Sequence, residues 1–172
     1  MVMQDFFKRY IPEFVYGAVD GTVTTFAVVA ASAGAGISSS VILILGIANL
    51  IADGFSMGSS AYLAASAEHE ESVRDSQKRS SPKIIGAVTF LAFVVVGSVP
   101  VLPYLIDVIA NLKAPNAVLF YVSSALTAAT FLAIGFIKGK VSKQSPWQSA
   151  GITLLLGAIA AGLAYFAGDI LA

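Results

Sequence analysis

Residues 40–66 read SVILILGIANLIADGFSMGSSAYLAAS, a stretch that carries a single charged side chain, Asp53. About 20 mainly apolar residues are enough for an α-helix to cross the hydrocarbon core of a bilayer. The apolar residues occur on every side of such a helix, whereas a soluble helix carries them along one stripe. These residues therefore predict a transmembrane helix.

Four further segments are as long and as apolar. With the first stretch, the predicted helices run over about residues 13–35, 40–66, 83–107, 116–137 and 147–171. The loops between them are too short for a separate domain. The sequence thus predicts an all-α membrane protein, with residues 1–172 forming a single transmembrane domain of five helices.

Glycine, serine and proline mark the predicted helix ends. Gly34-Ala35-Gly36 should end the first helix, and the serines at 38–40 should begin the second. Prolines precede or begin the other three helices, where a missing N–H costs least. These prolines are Pro82, Pro115 and Pro146. Pro100 and Pro103 lie inside the third predicted helix and should kink it or end it near the far interface.

Composition excludes several classes of protein. Of 172 residues, 57% are apolar and 12% are charged, against about 25% charged in an average soluble domain. A formal net charge of zero argues against nucleic acid as a partner, which would need a basic patch. There is no cysteine, a single histidine and no phosphate-loop or nucleophile motif, so no enzyme activity is predicted.

Basic residues are distributed unevenly between the two sides of the predicted membrane. Nine of the ten basic residues fall in the N-terminal segment and in the loops after the second and fourth helices, which share one side. Only Lys113 lies on the opposite side. The positive-inside rule therefore predicts a cytoplasmic N-terminus.

Acidic residues inside the predicted spans are the first candidates for function, because a charged side chain in hydrocarbon costs several kcal/mol. Asp20 lies in the first helix and Asp53 in the second, and Glu13 lies at the cytoplasmic mouth of the first. Asn49, Asp53 and Met57 are spaced by four residues and share one helix face. Counting residues from the cytoplasmic ends predicts Asp20 level with Met57, with Asp53 one turn deeper.

Carboxylates and a thioether suit a divalent transition metal. Carboxylate oxygens favour hard ions such as Mn²⁺, and a sulfur ligand accommodates Fe²⁺ and disfavours Mg²⁺ or Ca²⁺. Each residue also has a structural interpretation. A buried aspartate can be a neutral packing residue, Met57 can fill space in a core, and Glu13 can sit among lipid headgroups. The acidic run at Glu68, His69 and Glu71 could capture metal in the cytoplasm or could simply be a solvated helix end.

Three motifs carry a resemblance to a known family. They are Tyr16-Gly-Ala-Val-Asp-Gly-Thr-Val-Thr-Thr-Phe-Ala, Gly46-Ile-Ala-Asn-Leu-Ile-Ala-Asp-Gly-Phe-Ser-Met-Gly and Gly97-x-x-Pro-x-x-Pro-Tyr. In this order, and with Gly135-x-x-Lys-Gly after them, they resemble the motifs of the vacuolar iron transporter family over about residues 12–170.

The resemblance implies a two-fold homodimer of five-helix chains, with the ion path at the dimer interface and built mainly from the first helix. It implies transport of Fe²⁺ or Mn²⁺ out of the cytoplasm, against protons. Asp20 and Met57 match the family's ion-path aspartate and methionine, and Glu13 matches an acidic position near the entrance.

The chain departs from the family pattern in two places. Asn49 stands where the family usually has glutamate, while Asp53, one turn on, replaces a small residue. About sixteen residues stand between the second and third helices, where eukaryotic members carry a cytoplasmic metal-binding domain. The carboxylate has moved by one turn or the site is altered, and high-affinity metal capture in the cytoplasm is not expected.

The sequence thus predicts a proton-coupled exporter of Fe²⁺ or Mn²⁺. Asp20, Met57, Asp53, Glu13 and Asn49 are the candidate metal ligands. The metal is substrate and no cofactor is expected to stay bound; the partners are the ion, the lipid bilayer and a second copy of the chain. In a prokaryote the expected location is the plasma (inner) membrane. The alternatives are a membrane sensor or assembly subunit with structural aspartates, and a carrier of another small substrate.

Overall fold

The computed structural model describes the backbone of residues 2–71 and 81–172 and the side chains of residues 9–68 and 81–172. These residues form six α-helices. They are α1 (Val2–Gly34), α2 (Ser39–Glu71), α3 (Pro82–Gly97), α4 (Leu102–Ala110), α5 (Asn116–Val141) and α6 (Pro146–Leu171). A 3-10 turn at Val99–Val101 joins α3 to α4.

Five stretches of the described residues are long and apolar enough to cross a membrane, as the sequence predicted. They are Arg9–Gly34, Ser39–Glu68, Pro82–Ala110, Asn116–Val141 and Pro146–Leu171. The third comprises α3, the 3-10 turn and α4 together. The predicted all-α membrane fold with five spans is confirmed.

The helix ends lie where glycine, serine and proline predicted them. α1 ends at Gly34, and Gly36 adopts a φ of 66°, a left-handed conformation that glycine reaches without steric cost. α2 begins at Ser39, and the carbonyl of Ser38 accepts the first hydrogen bonds of that helix. α3 and α6 begin at Pro82 and Pro146, and Pro115 precedes α5.

Two helices are longer than hydropathy predicted at the charged end of the molecule. α1 begins at Val2 and passes through Pro12, although its apolar part begins only at Arg9. α5 likewise continues to Val141 through Lys138 and Lys140. Hydropathy marks where a helix meets the edge of the membrane, whereas the helix itself continues until a residue breaks its hydrogen bonding.

The third span is broken rather than continuous, as Pro100 and Pro103 indicated. α3 ends at Gly97, and the chain makes one 3-10 turn before α4 begins at Leu102. Proline lacks the N–H that a continuous helix needs, so a carbonyl near it loses its partner. Ser123 of α5 donates a buried hydrogen bond of 2.6 Å to the carbonyl of Pro100. A side chain from a neighbouring helix therefore satisfies the backbone at the break.

α1 lies at the centre of the bundle and contacts α2, α3, α5 and α6. Gly17 and Gly21 of α1 lie directly against the backbone of α3 near Thr89 and Phe93. The glycine pair of α2, Gly54 and Gly58, also packs on α3, and the pair of α5, Gly135 and Gly139, packs on α6. The glycine pairs mark close helix contacts, as predicted, but those of α1 and α2 approach α3 and not each other.

Candidate functional site

Asp20 of α1 and Asp53 of α2 are both half-buried and lie on neighbouring helices. Their carboxylates are close enough for the two charges to interact. The hydroxyl of Thr24 donates to the backbone carbonyl of Asp20 at 2.9 Å, so this hydrogen bond does not involve the carboxylate. The structure thus brings together the two acidic residues that the sequence placed inside the spans.

Asn49 lies on the same face of α2, one turn from Asp53. Its Nδ2 donates to the hydroxyl of Thr25 at 3.4 Å, and Thr25 is fully buried. Sequence reasoning had not singled out Thr25, because a threonine inside a span has no distinguishing feature until its partner is known. The amide and the hydroxyl add neutral oxygen and nitrogen atoms next to the acidic pair.

The register between α1 and α2 differs from the register predicted by counting residues. Thr25 pairs with Asn49 and Asp20 lies opposite Asp53. Both helices also pack on α3, where Gly21 and Gly54 lie at the level of Phe93. Asp53 is therefore level with Asp20, and Met57 lies about one turn nearer the N-terminal end of α1. The prediction of Met57 level with Asp20 is wrong, because α3 sets the relative height of the two helices.

Glu13 lies two turns before Asp20, about 10 Å along α1. Its Oε2 is buried, with no hydrogen-bond partner among the described residues. Met57 is half-buried and packs against the apolar core around Phe93 and Leu50. From the N-terminal end of α1 inward, the order is therefore Glu13, then Met57, then the Asp20–Asp53 pair.

No group of three or more acidic or histidine side chains converges within the part of the chain whose side chains are described. Two carboxylates are therefore the largest acidic cluster that one chain offers in this region. Of the acidic run at the end of α2, Glu68 is exposed, and the side chains of His69 and Glu71 lie outside the described residues. The predicted capture of metal there stays a prediction.

Asp107 is a buried acidic residue of α4 that the sequence did not mark as special. Its Oδ1 accepts a hydrogen bond of 2.9 Å from the N–H of Ala114, and its carbonyl accepts one from Leu112. Between these residues Asn111 and Lys113 both have positive φ. Asp107 therefore holds the turn between α4 and α5, and its burial has a structural explanation.

The VIT family model matches residues 11–81 and 68–169, nearly the whole chain. The chain belongs to the VIT family. The earlier resemblance to the vacuolar iron transporters is confirmed. Since the matched proteins are named as transporters, the prediction of a non-enzymatic membrane protein agrees with the comparison.

Known members differ in how much of the chain they match. Vacuolar iron transporter of Toxoplasma gondii is 46% identical over 61 residues, which are 36% of this chain and 20% of that protein. Vacuolar iron transporter 1 of Eucalyptus grandis is 27% identical over 215 aligned positions, covering 90% of this chain and 84% of the relative. Vacuolar iron transporter 1 of Oryza sativa subsp. japonica is 27% identical, with 90% and 82% covered.

The plant relatives contain residues that this chain lacks. Since 90% of 172 residues is about 155, about 60 of the 215 aligned positions have no counterpart here. The two parts of the family match overlap at residues 68–81, which comprise the end of α2 and the loop before α3. This is the loop where the sequence predicted that a cytoplasmic domain is missing, and the length of the chain is compatible with that prediction.

Proposed function

We propose that this protein transports a divalent transition metal, Fe²⁺ or Mn²⁺, out of the cytoplasm in exchange for protons. Its membership of the VIT family, its five membrane spans and the names of its relatives support metal transport. The Asp20–Asp53 pair inside the spans carries the proposal. Two carboxylates that face each other in a medium of low dielectric repel unless a cation or a proton lies between them.

The chemistry of the neighbouring residues fits a metal of intermediate hardness. Asp20 and Asp53 offer oxygen ligands, which every divalent metal accepts, and Met57 offers a thioether about one turn away. Asn49 adds an amide oxygen on the same face of α2, and Glu13 has a carboxylate oxygen with no partner among the described residues. In this proposal an ion passes Glu13 and Met57 before it reaches the aspartate pair.

We propose a two-fold homodimer as the transporting unit. One chain brings together two carboxylates, whereas divalent metals in oxygen sites take more ligands than two. A second copy related by a two-fold axis would double every ligand near the axis. The exposed apolar residues of α2, which include Ile51, Phe55 and Leu63, provide a surface beside the site for the partner or for lipid.

The host membrane in this proposal is the plasma (inner) membrane of a prokaryote, with the N-terminus in the cytoplasm. Nine of ten basic residues lie on the side of the N-terminus. The anionic cytoplasmic leaflet attracts such residues, which orients the chain. Metal that leaves through the aspartate pair would then leave the cell.

Transport into proteoliposomes tests the function directly. Purified protein is reconstituted into vesicles that contain a metal-sensitive dye, and Fe²⁺ or Mn²⁺ is added outside, with and without a pH gradient. We expect uptake that a gradient of protons from inside to outside accelerates. Excess Co²⁺ and Zn²⁺ in competition will rank the selectivity.

Two controls make a negative result interpretable. Protein-free vesicles measure leakage, and size-exclusion chromatography with circular dichroism before reconstitution shows that the protein is folded. Folded protein that moves neither metal above leakage would overturn the proposed function. A rate of metal uptake that is the same with and without the pH gradient would overturn proton coupling but not metal transport.

A further inference from the structure

A groove on the side of the bundle contains none of the proposed metal ligands, although Tyr16 of α1, one turn before Asp20, is among the residues that line it. It lies between α1, α5 and α6 and has a volume of about 380 Å³, within the range of ligand sites in proteins. One wall is a row of apolar side chains on α1, Ile11, Val15 and Val19, each one turn from the next. Leu156 of α6 forms part of the opposite wall.

The polarity of the groove changes along its length. Lys138 and Ser142 line it at the end of α5, beside Ile11 and close to the membrane surface. The α1 wall runs from Ile11 to Val23, about 18 Å at 1.5 Å per residue. Its far end lies in the apolar interior of the span. No acidic side chain is among the described residues that line the groove.

Among the described residues that line this groove, Lys138 carries the positive charge. The neighbouring Lys140 is held elsewhere, because its Nζ lies 4.9 Å from the ring centre of Phe136. Lys143 follows the end of α5 with a φ of 54° and does not line the groove.

We propose that this groove binds an anionic phospholipid, with an acyl chain along the apolar wall and the phosphodiester at Lys138 and Ser142. The charge and the shape of the groove both fit an anionic phospholipid. A positive residue and a hydroxyl at the membrane surface suit a lipid phosphate, and basic residues near the surface attract anionic lipids. A free phosphate ion would make no favourable contact with the apolar wall of the groove.

Lipid retention measured by native mass spectrometry tests the headgroup contact. Delipidated full-length protein in detergent is mixed with equal amounts of dioleoyl phosphatidylglycerol and dioleoyl phosphatidylcholine. Wild-type protein should retain the anionic lipid in preference. Lys138→Gln should reduce retention of phosphatidylglycerol about fivefold and leave phosphatidylcholine unchanged. Lys140→Gln removes the same charge two residues away, outside the groove, and should keep the wild-type preference.

The acyl-chain contact has a matched pair of variants on α6. Leu155 and Leu156 are both 60% exposed, but only Leu156 lines the groove. Leu156→Trp should fill the groove and lower retention of both lipids, whereas Leu155→Trp should change neither. Both variants place a tryptophan on an exposed surface of the same helix, so a general effect on folding would appear equally in the two.

Three results would overturn the proposal. One is an unchanged headgroup preference in Lys138→Gln, and another is an equal loss in Lys140→Gln, which would mean that basic charge anywhere on this side suffices. The third is a change of oligomeric state in Leu156→Trp, because it would show that the α6 wall of the groove, and not only Tyr16, is a contact between protein chains. Addition of 10-fold excess inorganic phosphate should not displace the retained lipid.

Discussion

Asp20 and Asp53 bring two half-buried carboxylates close enough for their charges to interact. At the scale of single residues, two like charges in a medium of low dielectric repel, and a cation bound between them would relieve that repulsion. A structural role needs no second carboxylate, as Asp107 demonstrates with its backbone hydrogen bond to Ala114. This difference between the acids supports the proposal of a metal site at Asp20 and Asp53 and a structural role for Asp107.

Asp20→Asn tests the role of the first aspartate. Asparagine keeps the size and most of the hydrogen bonding but removes the ionisable oxygen. We expect the variant to fold and to lose Fe²⁺ and Mn²⁺ flux about tenfold or more, since a lost ion contact of about 1.4 kcal/mol is a factor of ten. The measurement is initial uptake into proteoliposomes.

The matched control for Asp20→Asn is Asp169→Asn, which removes an exposed acid at the end of α6. This control should transport normally. If Asp20→Asn is well folded and its flux equals that of the wild type, Asp20 is a packing residue and the proposed path is wrong.

Met57→Leu tests the soft ligand, because leucine retains the volume and lacks the sulfur. Sulfur contributes more to Fe²⁺ than to the harder Mn²⁺. The half-maximal concentration for Fe²⁺ uptake should therefore rise several-fold and that for Mn²⁺ much less. Equal changes for both metals, or none, would assign Met57 to the apolar core that it contacts.

The sequence predicted which acidic residues form the candidate site but not their relative heights along the two helices. Asp20 and Asp53 stand out because charge is costly in hydrocarbon, whatever the packing. Their register depends on glycine contacts with α3, which residue counting within α1 and α2 does not include. Thr25 was missed for a related reason, because a threonine inside a span is unremarkable until its partner is known.

At the scale of helices, the sequence predicted most boundaries, because prolines and glycines act locally. Pro82 and Pro146 begin helices through their own backbone geometry, which requires no contact from elsewhere in the chain. The N-terminal start of α1 at Val2 could not be predicted from hydropathy, since those residues lie outside the apolar stretch. The hydrogen bond from Ser123 to Pro100 at the break in the third span joins two segments that are distant in sequence. No local sequence pattern predicts that hydrogen bond.

Ser123→Ala tests whether this hydrogen bond stabilises the third span. The variant removes the buried hydrogen bond to the carbonyl of Pro100 and leaves that carbonyl without its partner, which costs about 1–3 kcal/mol. Thermal unfolding in detergent should show a lower midpoint. Ser124→Ala is the control, because Ser124 bonds only to Phe120 within its own helix. An equal shift in both variants would mean that the third span does not depend on Ser123.

At the scale of the whole molecule, the charge bias predicts orientation. The chain has no cysteine, so a single introduced cysteine reports its own side. Ser142→Cys should react with a membrane-impermeant maleimide only after the cells are opened, because Ser142 lies beside the basic end of α5. Lys113→Cys, on the opposite side, should react in intact cells. The reverse pattern would invert the proposed direction of transport.

The dimer is the remaining property of the whole molecule, and the exposure of α1 bears on it. Tyr16 is 63% exposed in the single chain and lies one turn from Asp20 on the same face of α1. In a monomer this face, with its half-buried carboxylate, would contact lipid, where a charged group is costly. Pairing about a two-fold axis would place Tyr16 near its own copy and enclose both aspartates.

Tyr16→Cys should therefore form a disulfide between two chains in membranes treated with a mild oxidant. Tyr121→Cys on α5 is the control, because Tyr121 is 72% exposed but lies on a different helix, away from the proposed axis. The measurement is the dimer band on a non-reducing gel, together with the mass of wild-type protein in nanodiscs. Only the first variant should crosslink, and the mass should be that of two chains. A monomeric mass in nanodiscs would leave one chain with two carboxylates and no further acidic ligand at their level, and the shared path would have to be abandoned.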